Sequence, residues 1–172
     1  VALAFAVLVY VVLDGFDLGV GMLFGTTGDE RHRRAMMGAI APVWDGNETW
    51  LVLGGGGLFA AFPLAYSIAL PALYAPLIAM LPALVFRGVA FEFRWKAKTG
   101  RWLWDYAFIA GSTLAAFAQG VALGALLQGV EVNEAQRAYA GGWWDWLSPF
   151  SIFVGIAVRN AAPADSWLCL GG

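Results

Sequence analysis

Charge is what this sequence has least of. Asp, Glu, Lys and Arg make up 13% of its 172 residues, against roughly 25% in soluble domains. A single cysteine, Cys169, excludes an internal disulfide and leaves the redox compartment open. A single histidine, His32, excludes a haem held by two histidines of this chain. CxxC, HExxH, phosphate-loop and GxGxxG patterns are absent, which removes the usual redox, zinc-hydrolase and nucleotide sites. "DGNETW" (45–50) lacks the ligand spacing of a calcium loop. Ten Lys and Arg stand against twelve Asp and Glu with no basic tail, so nothing indicates nucleic acid. No internal repeat is visible, and an inverted-repeat transporter gains no support from symmetry.

What is present is apolar. Hydrophobic residues are 60% of the chain, with nine Trp and twelve Phe, and the mean hydropathy is +0.69. This predicts an all-α, polytopic transmembrane helix bundle whose surface faces lipid. A span needs about 20 mostly apolar residues. Four firm spans are predicted, over 1–25, 36–62, 64–90 and 105–128, with Pro71, Pro76 and Pro82 kinking the third. A fifth starts near 146 and breaks where "VRNAAPADSWLCLGG" (158–172) brings Arg159, Asn160, Pro163 and Asp165 close together. Residues 1–155 therefore read as one N-terminal membrane bundle and 156–172 as an atypical tail. The start at Val1, with no signal-peptide pattern, reads as truncated.

Loop charge gives an orientation. "GDERHRR" carries Arg31, Arg33 and Arg34, and "RWKAKTGR" carries Arg94, Lys96, Lys98 and Arg101. The other two loops have little positive charge. The basic loops are predicted cytoplasmic, which puts the N-terminus on the periplasmic side. Trp95, Trp102 and Trp104 would anchor the inner interface, and Trp143, Trp144 and Trp146 the outer one.

Some charges sit too deep for a lipid-facing role. On straight helices, Asp14, Asp45 and Arg87 each lie roughly 15 Å from the basic ends, at 1.5 Å per residue. An unpaired charge there costs about 2.5–3.5 kcal/mol or more, so these groups are expected to pair and face the protein interior. An Asp–Arg pair that locks helices together would satisfy this. So would a proton or ion path built on buried carboxylates. Asp14 and Asp17 share a helix face, so one can relay and the other partner it. Gly15, Gly19, Gly21 and Gly25 around them suit close helix approach. The residues alone stop at a partnered membrane subunit with a buried ionisable layer. An ion or proton transporter using Asp14, Asp45 and Arg87 is the alternative from another class.

The motifs go further. "DGFDLGVGML" (14–23), "IAPVWDGNETWL" (40–51), "GGGLFAAFP" (55–63), "RGVAFEFR" (87–94), "WDYAFIAGS" (104–112), "QGVALGALLQGV" (119–130) and "GGWWDWLSPFS" (141–151) occur in order. Together they resemble the N-terminal half of subunit II of cytochrome bd-type quinol oxidases. "RGVAFEFR" resembles the branch that includes cyanide-insensitive enzymes. The resemblance implies a haem-free partner of a subunit I that carries two b-type haems, one d-type haem and the quinol site. The complex sits in the bacterial cytoplasmic membrane, oxidises quinol and reduces oxygen to water in the respiratory chain. It also implies that subunit II supports the haem region, can hold a structural quinone, and lines a cytoplasmic proton path. By motif, Asp14 and Asp45 match residues of that path. Trp44 matches the aromatic beside it, and Arg87, Glu92 and Arg94 match structural positions. Asp17 and Glu48 are read as support for the path. No catalytic or metal-ligating residue is expected in this chain.

Overall fold

The computed structural model describes residues 1–133 and 137–170, the side chains of 165–170 excepted. Seven helices are described: α1 (Ala2–Leu23), α2 (Glu30–Ile40), α3 (Trp44–Ala61), α4 (Pro63–Ala72), α5 (Tyr74–Lys96), α6 (Arg101–Gln128) and α7 (Pro149–Leu170). A short 3₁₀ turn, Phe24–Thr26, extends α1. Between α6 and α7 lies one antiparallel strand pair, β1 (Val132–Asn133) and β2 (Ala138–Tyr139). The membrane helix bundle is as expected. Among the described residues, three helical stretches are long and apolar enough to cross a membrane: Ala2–Thr26, Tyr74–Lys96 and Arg101–Gln128.

The remaining spans differ from the expectation for local reasons. The second is divided. Pro42 has no N–H to donate, so the ladder of α2 ends at the Ala41 N–H to Met37, and α3 restarts at Trp44. What is left is an 18-residue helix with Asp45 and Glu48 in its first turns. At 1.5 Å per residue it is about 27 Å long, slightly under the hydrocarbon thickness. The third is divided at Leu73, just after Pro71, rather than kinked at three prolines. Pro76 falls in the first turn of α5, where no N–H is needed. The fifth does not break near 156: α7 runs on through Arg159, Asn160 and Pro163 to Leu170. Pro163 follows fourteen helical residues from Pro149, and the loss of one ladder bond leaves the helix continuous.

α6 is the centre of the bundle, packed along α5 on one side and α7 on the other, and α1 packs against α3, α6 and α7. Small residues allow this. A Cβ on Gly124 of α6 would lie 2.6 Å from the Cα of Ser151 on α7, and one on Gly120 2.6 Å from the Cα of Gly155. No larger side chain fits at that separation. On α1, Gly21 lies directly against Ser112 of α6, while Gly15 meets open space. Apolar residues of the first half of α1, Phe5, Leu8 and Val12 among them, are exposed, as a lipid-facing surface requires.

Candidate functional site

Helical spacing converges on one polar layer. Tyr10, Asp14, Asp17 and Gly21 fall at i, i+4, i+7 and i+11 on α1, and all four are buried. Met80, Ala83, Arg87, Ala90 and Arg94 make the same kind of stripe on α5. Asp14 and Asp17 are fully buried and Arg87 is 1% exposed. The Arg87 Nη1 donates to Asp14 Oδ1 at 3.3 Å and to Glu48 Oε1 at 3.2 Å. Its Nη2 lies 3.8 Å from Asp17 Oδ2. Asn47 of α3 donates to that same Asp17 oxygen at 2.8 Å. Gln119 of α6 donates to Asp14 Oδ2 at 3.0 Å and to the Tyr10 hydroxyl at 2.6 Å. Side chains of four helices join in this one layer.

Two of the three residues expected at mid-depth are here. Asp14 and Arg87 pair directly, whereas Asp45 is exposed in the first turn of α3. The break at Pro42 explains this. α3 begins later and turns Trp44, Asn47, Glu48 and Leu51 inward (i, i+3, i+4, i+7), leaving Asp45 outside. Glu48, one turn on, takes the place at Arg87. Trp44 packs on α5 of its own chain, with its ring 5.6 Å from Phe91 and Gly88 beneath it.

A second ionic layer lies two turns along α5. Asp105 of α6 bridges Arg94, which donates from Nε, and Arg33 of α2, which donates from Nη1 at 2.7 Å. Arg94 also holds Glu30 at 3.0 Å. The two guanidinium groups lie 5.0 and 4.9 Å from the centre of the Phe24 ring. Glu92 is apart from both layers, on the surface, paired with Lys96 at 2.6 Å. Between the layers Val20, Phe91 and Phe108 are buried and apolar. Asn47, Gln119, Tyr10 and Asp105 escaped the sequence reading. For Tyr10 the four-residue spacing to Asp14 was the available signal; a lone amide in an apolar helix, Gln119, was another.

Cofactor chemistry can be tested on these residues. His32 is exposed on α2 beside Asp29. Met22, Met37 and Met80 are buried within apolar clusters. Among the described residues no group of three or more His, Cys, Asp or Glu could hold a metal ion. An apolar cavity of about 300 Å³ lies between α1, α3, α5 and α6, walled by Trp50, Leu77, Met80 and Leu123, with Tyr10 and Gln119 at its polar edge.

Residues 1–164 match the family described as cytochrome bd terminal oxidase subunit II. This chain belongs to that family. It is 43% identical over 153 residues to the cytochrome bd-I ubiquinol oxidase subunit 2 of Escherichia coli, covering 86% of this chain and 40% of that protein. It is 42% identical over 151 residues to the probable cytochrome oxidase subunit 2 of Haemophilus influenzae, covering 84% and 40%. The cytochrome bd ubiquinol oxidase subunit 2 of Bacillus subtilis is 40% identical over 149 residues, covering 85% and 44%. The chain spans about two-fifths of the length of these curated relatives. The subunit II match includes all four elements of the buried layer, and it reaches past residue 155 into α7.

Proposed function

We propose that this chain is the N-terminal portion of subunit II of a membrane-bound quinol oxidase. With a haem-bearing subunit I, the complex oxidises quinol, reduces oxygen to water and serves a respiratory chain. It resides in the bacterial cytoplasmic membrane with the N-terminus periplasmic. The haems belong to subunit I. The observation that carries the reading is the buried layer of three carboxylates about Arg87, in a chain whose family is oxidase subunit II. Helix locking needs one carboxylate per guanidinium; this layer has a surplus.

The path read from the layer begins at exposed Asp45. Glu48 lies one helical turn further, about 4.5 Å along the axis, with its side chain one quarter exposed. Arg87, Asp17 and Asp14 follow in the interior. Both basic stretches lie on the predicted cytoplasmic side, the side that must supply protons. A structural quinone matches the cavity beside Tyr10 and Gln119 in chemistry: apolar walls with two polar groups at one edge.

The test uses full-length subunit II with its subunit I. Asp45→Asn should keep the d-type haem absorption band while quinol-driven oxygen uptake falls about tenfold, about 1.4 kcal/mol on the barrier. Unchanged uptake with the band retained would make the subunit a scaffold, with the proton path elsewhere.

A further inference from the structure

Within this proton-path reading, the buried layer contains more acid than it can neutralise. Asp14, Asp17 and Glu48 face one cation. The next arginines, Arg33 and Arg94, are engaged by Asp105 and Glu30. Full ionisation would leave two uncompensated negative charges about a single guanidinium, and neighbouring carboxylates in such a site do not all ionise together. Protons must be held here, and hydrogen bonding decides where.

Asp14 is the member best held as an anion. Its Oδ1 accepts from Arg87 and its Oδ2 from Gln119. The same Gln119 nitrogen also donates to Tyr10. Guanidinium and amide N–H groups donate only, and donors on both oxygens favour the ionised acid. Asp17 differs. Its Oδ2 accepts from Asn47, but its Oδ1 is buried and has no hydrogen-bond partner. Arg87 Nη2 lies 3.8 Å from Oδ2, beyond hydrogen-bond distance, and makes no hydrogen bond. A buried carboxylate oxygen that meets no donor is costly when the acid is ionised, and much less so when it is neutral. Glu48 accepts from Arg87 and is the one member whose side chain reaches the surface.

We propose that Asp17 and Glu48 hold the exchangeable protons of this layer, and that Asp14 lines the path as the permanent counter-ion of Arg87 without carrying its protons. Glu48 exchanges with the α3 surface and Asp17 stores the proton at Oδ1. In each exchange one carboxyl O–H bond breaks as another forms, and Arg87 stays charged throughout. The groups facing Asp17 are Asp14 on its own helix, Asn47 and Glu48 on α3, and Arg87 on α5, with Asp45 one turn outside. Gln119 and Tyr10 act as positioning residues for Asp14.

pH-induced infrared difference spectroscopy on purified full-length subunit II with subunit I tests this. Wild type should show carboxylic acid C=O bands that shift in heavy water. Asp17→Asn should remove one and Glu48→Gln another, each leaving the other's band in place. All bands kept in Asp17→Asn, or in Glu48→Gln, would overturn the assignment, as would the absence of any such band in wild type. Gln119→Met takes a donor from Asp14 and none from Asp17 or Glu48. It should leave both bands in place; a band shifted or lost there would put a proton on Asp14 and refute the proposal. Haem absorption is recorded on the same samples. Infrared bands as expected without any haem would defeat the oxidase reading and leave this assignment standing.

Discussion

Arg87 is 1% exposed and touches carboxylates from two helices. Removing it leaves those acids facing one another in a low-dielectric interior. Arg87→Met should therefore destabilise the assembled protein by about 3–5 kcal/mol, read as a lower thermal midpoint in detergent. Glu92→Gln is the contrast. Its pair with Lys96 is exposed, and surface pairs contribute about 0–1 kcal/mol, so the midpoint should hold within a degree or two of wild type. At this scale the sequence showed charged residues too deep for lipid, and depth put Arg87 level with both Asp14 and Asp45, of which Asp14 is the one that pairs with it. Asp45 did not follow, because a depth count assumed a helix unbroken from Arg34. Asn47 and Gln119 carry no charge, so a count of deep charges passes over them although a buried amide also needs partners.

Two features decide how the elements hold. Asp105 ties α2 to α5 and α6 through Arg33 and Arg94, so Asp105→Ala should loosen α2 and leave two arginines competing for Glu30. Trypsin should then cut at Arg31, Arg33 or Arg34 several-fold faster than in wild type; an unchanged cleavage rate would show that α2 is held by its apolar contacts, Met37 and Ile40, instead. The α6–α7 contact depends on small residues. Gly124→Val places a side chain where the Ser151 backbone lies and should cost roughly 1–3 kcal/mol in strain, whereas Gly56→Ala, which meets open space, should be near neutral. Thermal unfolding of the two variants side by side tests this. Helices α1, α5 and α6 were readable as long apolar runs. The divisions at Pro42 and Leu73 had a visible signal in proline, but a proline in an apolar run is equally compatible with a kink. The persistence of α7 through Pro163 shows that one lost ladder bond does not end a helix that is long on its N-terminal side.

For the whole molecule, the family relationship covers 1–164 and the fold is the helix bundle its composition demands. The orientation is a separate claim resting on loop charge. With Cys169 replaced by Ser, Lys98→Cys should react with a membrane-impermeant maleimide only from the cytoplasmic side, and Glu131→Cys only from the periplasmic side; the reverse pattern would invert the proton path. Two ionic layers seven residues apart on α5, about 10 Å along the helix, are separated by Val20, Phe91 and Phe108. In the proposed path, access to the deep layer would run along α3, past Asp45 and Glu48, rather than straight through the basic end. The account stands or falls on assembly with a haem protein. The decisive measurement is a reduced-minus-oxidised absorption spectrum of the chain completed to the length of its relatives, co-purified with its subunit I. The account predicts b-type and d-type haem bands together with quinol-driven oxygen uptake. Purified subunit II with no accompanying haem protein and no uptake would contradict it.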